Sequence, residues 1–132
     1  MDKGLVGNEK IIEKIVALKE NFTEENLAVL LTVIRKRMLE EGQFVVMVDA
    51  LGDGANMSLK TANYNGMKWF VAFTDFDQEL KGKNGVMSGF MADIKSLFEM
   101  ALQSGEVCGV ILNPYEGMLT LDKALIQAIL GE

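Results

Sequence analysis

Apolar residues recur at helical spacing in several stretches of the chain, separated by short runs rich in β-branched residues. The helical stretches predict helices over residues 8–18, 23–40, 90–101 and 120–130. Thr23 is a good N-cap for the second, because its hydroxyl can accept a free backbone N–H, and Thr120 has the same place before the last. The cations Arg35, Lys36 and Arg37 near the end of the second helix are interpreted as complementing its negative dipole end.

The β-branched runs predict strands over residues 44–48, 57–62, 69–74 and 107–112. Asn65-Gly66 suits a tight hairpin turn, since both residue types tolerate positive φ, so the first three strands form an antiparallel meander. A helix separates the third strand from the fourth, and such a crossover favours parallel, right-handed pairing. The polar, glycine-containing segment 77–89 predicts a loop, with a short helical turn within it as the alternative.

The predicted fold is therefore α+β: a four-stranded mixed sheet, made of an antiparallel meander and one strand added by a helical crossover, packed with about four helices. We expect a single domain over residues 1–132, in which the N-terminal helix within residues 1–22 is placed at the periphery.

Composition removes several classes of function. The chain has 132 residues, 49% of them hydrophobic, which is enough for a buried core. The formal charge of -6, with no basic stripe, makes nucleic acid a poor partner. A single cysteine, Cys108, excludes an internal disulfide, and we expect it to be a buried, inert thiol. The absence of an apolar leader or a membrane-length apolar run predicts no membrane association and a cytoplasmic location.

The chain lacks the residue types that most catalytic mechanisms require. The chain has no histidine, which removes Ser-His and Cys-His pairs and histidine-containing metal sites. Asp75, Asp77 and Glu79 alternate as at the start of a calcium loop, but Leu80 and Val86 stand where that loop needs Gly and Glu. We therefore expect no metal and no cofactor.

Glycines and methionines receive structural interpretations. Gly82, Gly85 and Gly89 fit no phosphate-loop pattern, so a linker loop is favoured over an anion site at a helix start near Ser88. Met87, Met91 and Met100, with Phe90 and Phe98, are interpreted as core residues of the third helix.

One candidate site remains. If the third and fourth strands are parallel, their carboxyl ends share an edge of the sheet, where ligands tend to dock in open α/β sheets. Thr74 and Asp75 would then adjoin Asn113, Pro114 and Tyr115. The alternative, which we favour, is that Thr74 and Asn113 tie down loops through side-chain-to-backbone hydrogen bonds.

Two strand ends carry a resemblance to a known family. The segments Trp69-Phe70-Val71-Ala72-Phe73-Thr74-Asp75 and Gly109-Val110-Ile111-Leu112-Asn113-Pro114, the latter followed by Leu119-Thr120-Leu121, resemble the N-terminal domain of the SseB family, bacterial proteins named for enhanced serine sensitivity. The resemblance spans roughly residues 23–130, and the polar segment 81–89 departs from it. It implies an α+β fold and a bacterial origin, and it brings no reaction or ligand with it.

Two functional hypotheses follow. The first is a non-catalytic binding or adaptor domain, in which the last helix meets a protein partner or a second copy through Leu121, Leu125, Ile126, Ile129 and Leu130. The second is a small-molecule sensor or enzyme at the strand-end edge, in which Asp75 would be the acid-base group. The lack of catalytic residue types favours the first.

Overall fold

The computed structural model describes residues 3–50, 57–81 and 89–131. Its helices are α1 (Glu9–Glu20), α2 (Glu24–Leu39), α3 (Phe76–Leu80), α4 (Ile94–Gln103) and α5 (Lys123–Leu130), preceded by a 3-10 turn at Lys3–Leu5. Its strands are β1 (Gln43–Ala50), β2 (Met57–Leu59), β3 (Thr61–Tyr64), β4 (Met67–Phe73), β5 (Gly89–Asp93), β6 (Gly109–Leu112) and β7 (Leu119–Asp122). Within these ranges, no helix is both long and apolar enough to cross a membrane.

The ends of α2 follow from local chemistry. Thr23 caps the helix as predicted, since its Oγ1 accepts the backbone N–H of Asn26 at 3.0 Å. At the other end Glu41, with φ 62°, takes the left-handed conformation after the helix. Gly42 then packs so closely on α2 that a Cβ there would lie 2.5 Å from the Arg37 carbonyl oxygen. Gly42 therefore permits a close approach, whereas the turn itself is made by Glu41.

The predicted meander is present, in a more elaborate form. β1 pairs antiparallel with β4 at Val45 and Val46, and β2 and β3 lie between these strands where they diverge. Lys60 joins β2 to β3: its N–H donates to the Met47 carbonyl at 2.9 Å, and its own carbonyl accepts the Val71 N–H at 3.2 Å. The β3–β4 turn has φ 53° at Asn65 and 75° at Gly66, which confirms the predicted hairpin.

The predicted parallel pair is also confirmed. β4 and β6 run in the same direction, in register from Phe70 opposite Val110 to Ala72 opposite Leu112. The connection between them contains α3, β5 and α4. The carboxyl ends of β4 and β6 consequently lie side by side at one edge of the sheet.

The prediction of four strands and about four helices was too simple, since the described residues contain seven strands in one sheet and five helices. Residues 89–93, predicted to end a loop and begin a helix, form β5 and pair with β1 over residues 43–47. Residues 119–122, of which 120–122 were predicted to begin the last helix, form β7 and pair with β6. Both segments are short and apolar, so their sequence pattern fits helix and strand alike, and the available strand edges decide between them.

Four helices, α1, α2, α4 and α5, cover one face of the sheet, whereas Phe76 of α3 packs on the other. The buried cluster beneath the four helices contains residues from all of them together with Phe44, Val46, Ala72, Val110, Leu112 and Leu121. Ile11, Ile15 and Leu18 of α1 belong to it, so the N-terminal helix is part of the core and its predicted peripheral placement was wrong. A smaller cluster on the opposite face consists of Val45, Met47, Val71 and Phe73.

Candidate functional site

The two predicted strand ends meet. The Thr74 N–H donates to Asn113 Oδ1 at 2.9 Å, and Asn113 Nδ2 donates to Thr74 Oγ1 at 3.1 Å. The Asn113 N–H donates to the Ala72 carbonyl at 2.9 Å, which continues the parallel ladder by one residue. Both side chains are buried. The polar atoms that could have faced a ligand are therefore bonded to one another.

The backbone of Asn113 adds to this arrangement. Its φ of 53° is left-handed, a conformation that asparagine tolerates better than most residues other than glycine. Because of this turn the chain leaves the direction of β6, and the side-chain amide of Asn113 faces the end of β4. Asparagine therefore suits this position for two reasons: its backbone tolerates the left-handed conformation, and its side chain bonds to Thr74.

Asp75 is also occupied. Its Oδ1 accepts the Gln78 N–H at 2.8 Å, which caps α3, and its Oδ2 accepts the Thr74 hydroxyl at 3.2 Å. Pro114 is half-buried, and the exposed Tyr115 lays its ring 5.6 Å from that of Phe73. The five predicted edge residues are thus brought to one edge of the sheet, where hydrogen bonds and ring packing hold the loops.

Two residues outside the five predicted edge residues extend the network. Asn8 precedes α1 but makes no side-chain cap, because its Nδ2 donates to the carbonyls of Gln43 at 2.7 Å and Thr74 at 2.9 Å. Its Oδ1 accepts from Arg37 Nε at 2.9 Å. We call Asn8, Arg37, Thr74 and Asn113 the strand-end lock, because together they join α1 and α2 to the ends of β4 and β6.

Arg37 lies in the last turn of α2 as predicted, and it also makes contacts that the sequence did not indicate. Its guanidinium also donates to the Gly4 carbonyl at 2.7 Å and pairs with Glu40 at 3.1 Å. The side chain is buried, and a buried charge is tolerated only when it is paired and hydrogen-bonded. Arg37 therefore also stabilises the N-terminal segment on α2.

One member of the strand-end lock, Asn8, lines a cavity together with the predicted site residue Asp75. The cavity has a volume of about 470 Å³ and is lined by Leu5, Val6, Asn8, Glu9, Asp75, Phe76 and Asp77. Thr74 and Asn113 do not line that cavity. Among the described residues no group of three or more acidic, cysteine or histidine side chains could hold a metal ion.

The predicted interaction helix is corrected in part. Leu121 lies in β7, and α5 begins only after Asp122, whose Oδ1 accepts the Leu125 N–H at 2.9 Å in the capping role predicted for Thr120. Leu121, Ile126 and Ile129 are buried in the helix-side core, while Leu125 and Leu130 are half-buried. The apolar face that we expected to meet a partner is thus largely used to cover the sheet.

A second apolar surface adjoins this helix. A cavity of about 310 Å³ is lined by Ile15, Leu18, Lys19, Phe22, Leu27, Met118, Leu119, Thr120 and Leu125, and we call it the β7 groove. Phe22, in the α1–α2 connection at its rim, is 76% exposed. The periodicity of α1 and α2 does not include Phe22, since it lies between the helices, and its isolated position was the only signal in the sequence.

Several residues interpreted as core are exposed. Phe90 and Met91 lie in β5 and are 45% and 39% exposed, and Met100 on α4 is exposed as well, whereas Phe98 is buried. The suggested helix start near Ser88 is also wrong, because α4 begins at Ile94. Gly82, Gly85 and Met87 lie outside the described residues.

Two other side chains differ from simple expectation. Cys108 is half-buried, where a fully buried thiol was expected, and its Sγ lies 3.3 Å from the Lys68 carbonyl oxygen. Oε2 of Glu79 on α3 is buried and has no hydrogen-bond partner among the described residues, and burial raises the pKa of this carboxyl above its ordinary value. A Cβ at Gly89 would overlap the Glu79 carboxylate, so Glu79 lies against β5.

Comparison with known proteins adds no identity: no family model, no curated protein and no solved structure matches this chain.

Proposed function

We propose that this protein is a non-catalytic binding domain, an adaptor similar to the N-terminal domain of the SseB family, and that its binding surface is the β7 groove. The observation that carries the proposal is the position of Phe22, a large aromatic side chain that is 76% exposed at the rim of an apolar cavity. Aromatic residues beside apolar pockets are the usual anchors of protein interfaces.

The strand β7, which lines the groove, favours a peptide as the binding partner. The Lys123 N–H donates to the Cys108 carbonyl at 3.1 Å, which sets the hydrogen-bonding phase of β7 on β6. In that phase the backbone N–H and C=O of Thr120 point away from β6, and among the described strands none pairs with β7 on that side. An extended segment could pair with Thr120 and place an apolar side chain beside Leu27.

The proposed partner is thus a protein segment in extended conformation that carries an apolar residue. Lys19 is the charged residue of the groove lining and would favour an acidic neighbour in that segment. The bacterial origin, the cytoplasmic location and the exclusion of nucleic acid remain predictions that accompany this proposal.

The test is selection from a random peptide library on the immobilised protein. We expect enriched peptides to share an apolar position and to lose about tenfold or more in affinity with Phe22→Asp, which corresponds to one interface anchor. Leu80→Asp is the matched control, because Leu80 is 73% exposed on α3 and does not line the groove.

Equal binding by the parent, Phe22→Asp and Leu80→Asp proteins would refute the groove as the binding surface. A sensor or enzyme at the strand-end edge has less support, because Thr74, Asp75 and Asn113 bond to one another or to the backbone. A metabolite that raises the melting temperature of the parent but not of Asp75→Asn would reverse this preference.

A further inference from the structure

The strand β5 lies at the edge of the sheet opposite to β7, and its outer side has a fixed pattern of backbone groups. The Ile94 N–H donates to the Gly42 carbonyl at 3.0 Å, so Ala92 and Phe90 are the residues of β5 that exchange hydrogen bonds with β1. The Met47 carbonyl, opposite Gly89, bonds to Lys60 on the far side of β1, which agrees with this phase. Both backbone groups of Gly89 and Met91, and the N–H of Asp93, therefore point away from β1. The Asp93 carbonyl belongs to the N-cap of α4, where it accepts the first hydrogen bond of the helix.

Two side chains at this edge are apolar and exposed. Phe90 is 45% exposed and Met91 39% exposed, and among the described strands none pairs with β5 on its outer side. Open apolar edges pair with other strands unless charges, prolines or bulges prevent it. Residues 89–93 contain no proline and a single charged residue, Asp93.

We infer that β5 pairs antiparallel with β5 of a second copy of this chain, with the two-fold axis at Met91. In this register Met91 faces Met91 and exchanges both backbone hydrogen bonds with it. Gly89 faces Asp93 of the other copy, whose N–H donates to the Gly89 carbonyl. The sheet then continues across the dimer. The interface is isologous, so both copies use the same surface.

The side chains fit this register. Cross-strand neighbours share a face of the sheet, so Phe90 of each copy lies over Ala92 of the other, a large side chain over a small one. The registers centred on the other outward residues fit less well. An axis at Asp93 opposes two carboxylates, and an axis at Gly89 leaves Asp93 without a partner.

The charge and size of the interface set its strength. Each copy contributes an edge of only five residues. The surface area buried between them is therefore smaller than in stable interfaces, which bury about 1,200 Å² or more, and the dimer is weak and reversible. Each chain carries a formal charge of -6, so salt, which screens the repulsion between copies, strengthens the dimer.

Disulfide trapping tests the register. In a Cys108→Ser background, Met91→Cys should form a disulfide-linked dimer under mild oxidation, because Cα atoms of a hydrogen-bonded antiparallel pair lie about 5.5 Å apart, within disulfide range. Phe90→Cys is the matched control. Its position and the same position of the second copy are diagonal neighbours about 7–8 Å apart, too far for an unstrained disulfide.

Met91→Pro tests the backbone contact in solution. The Met91 N–H faces outward, so proline removes a donor of the interface without removing one of the fold, as edge strands permit. Sedimentation equilibrium should show dimerisation about ten- to a hundredfold weaker than in the parent, whereas Met91→Thr, which keeps the N–H, should still dimerise. Phe22→Asp should dimerise like the parent, which separates this inference from the peptide-binding proposal.

A parent protein that stays monomeric at every concentration up to about 1 mM, the level of the weakest specific complexes, would overturn the inference. Disulfide formation by Phe90→Cys as fast as by Met91→Cys would overturn the register. If Met91→Pro does not fold, the trapping experiment still decides the question, because it leaves the backbone unchanged.

Discussion

The strand-end lock and the β5 edge are both places where strands stop pairing, yet they satisfy their backbone in opposite ways. In the lock, the side chains of Asn8 and Arg37 donate hydrogen bonds to the backbone carbonyls of Gln43, Thr74 and Gly4. At the β5 edge no described strand serves the outward groups, and the side chains around them are apolar and exposed. Polar side chains at a strand end therefore do not by themselves indicate a ligand site, and apolar ones do not by themselves indicate core.

The largest effect on stability is expected when the hydrogen-bonding side chain of Asn8 is replaced. Asn8→Leu leaves Arg37 Nε and the carbonyls of Gln43 and Thr74 without their partner, and we expect a loss of about 2–4 kcal/mol in the free energy of unfolding. Chemical denaturation measures the loss. Asn26→Leu is the control, since the Asn26 amide makes one exposed bond to the Asn21 carbonyl. If both variants lose the same stability, the lock has no special weight.

The next effect separates the conformation of Asn113 from its hydrogen bonds. Asn113→Ala loses the bonds to Thr74 and also strains a residue at φ 53°, so we expect a loss of about 2–3 kcal/mol. Asn113→Gly loses the same bonds but adopts this φ freely, so it should be the more stable variant by about 1 kcal/mol. Thermal or chemical unfolding of both proteins checks the order, and the reverse order would mean that the left-handed turn is not retained in solution.

The smallest effect concerns Glu79, which lies against β5. Because burial raises the pKa of Glu79 in the folded state, the folded state holds the proton more tightly than the unfolded one. Ionisation thus lowers stability above the folded pKa, and this loss is recovered as the pH falls through that pKa toward the ordinary value of 4.5. Glu79→Gln should raise the free energy of unfolding at neutral pH by up to about 1 kcal/mol.

This gain should shrink as the pH is lowered toward the ordinary pKa of the carboxyl, and denaturation at two pH values measures the change. Asp77→Asn, an exposed position on the same helix, is the control for the loss of one negative charge. A gain that does not change with pH, or that is equal in the control, would show that the burial of Glu79 has no influence on stability.

Much of the architecture follows from the sequence. The helical periodicity of α1 and α2, the Thr23 cap and the Asn65-Gly66 turn are local features, and local chemistry decides them. The parallel pairing of β4 and β6 could also be predicted, since a helix between two strands permits few other arrangements. That pairing correctly placed Thr74 beside Asn113.

The sequence alone therefore determined that the chain has an α+β fold and no imidazole chemistry. It also determined that the carboxyl ends of its two parallel strands lie next to each other. Only the tertiary structure decided that residues 89–93 and 119–122 are strands. Each of these short segments becomes a strand because a neighbouring strand, β1 or β6, offers backbone hydrogen bonds to it. The tertiary structure also decided that Asn8 and Arg37 complete the lock, because their partners lie 29 residues or more away along the chain. Long-range hydrogen bonds leave no periodicity, and for that reason no local pattern could predict them.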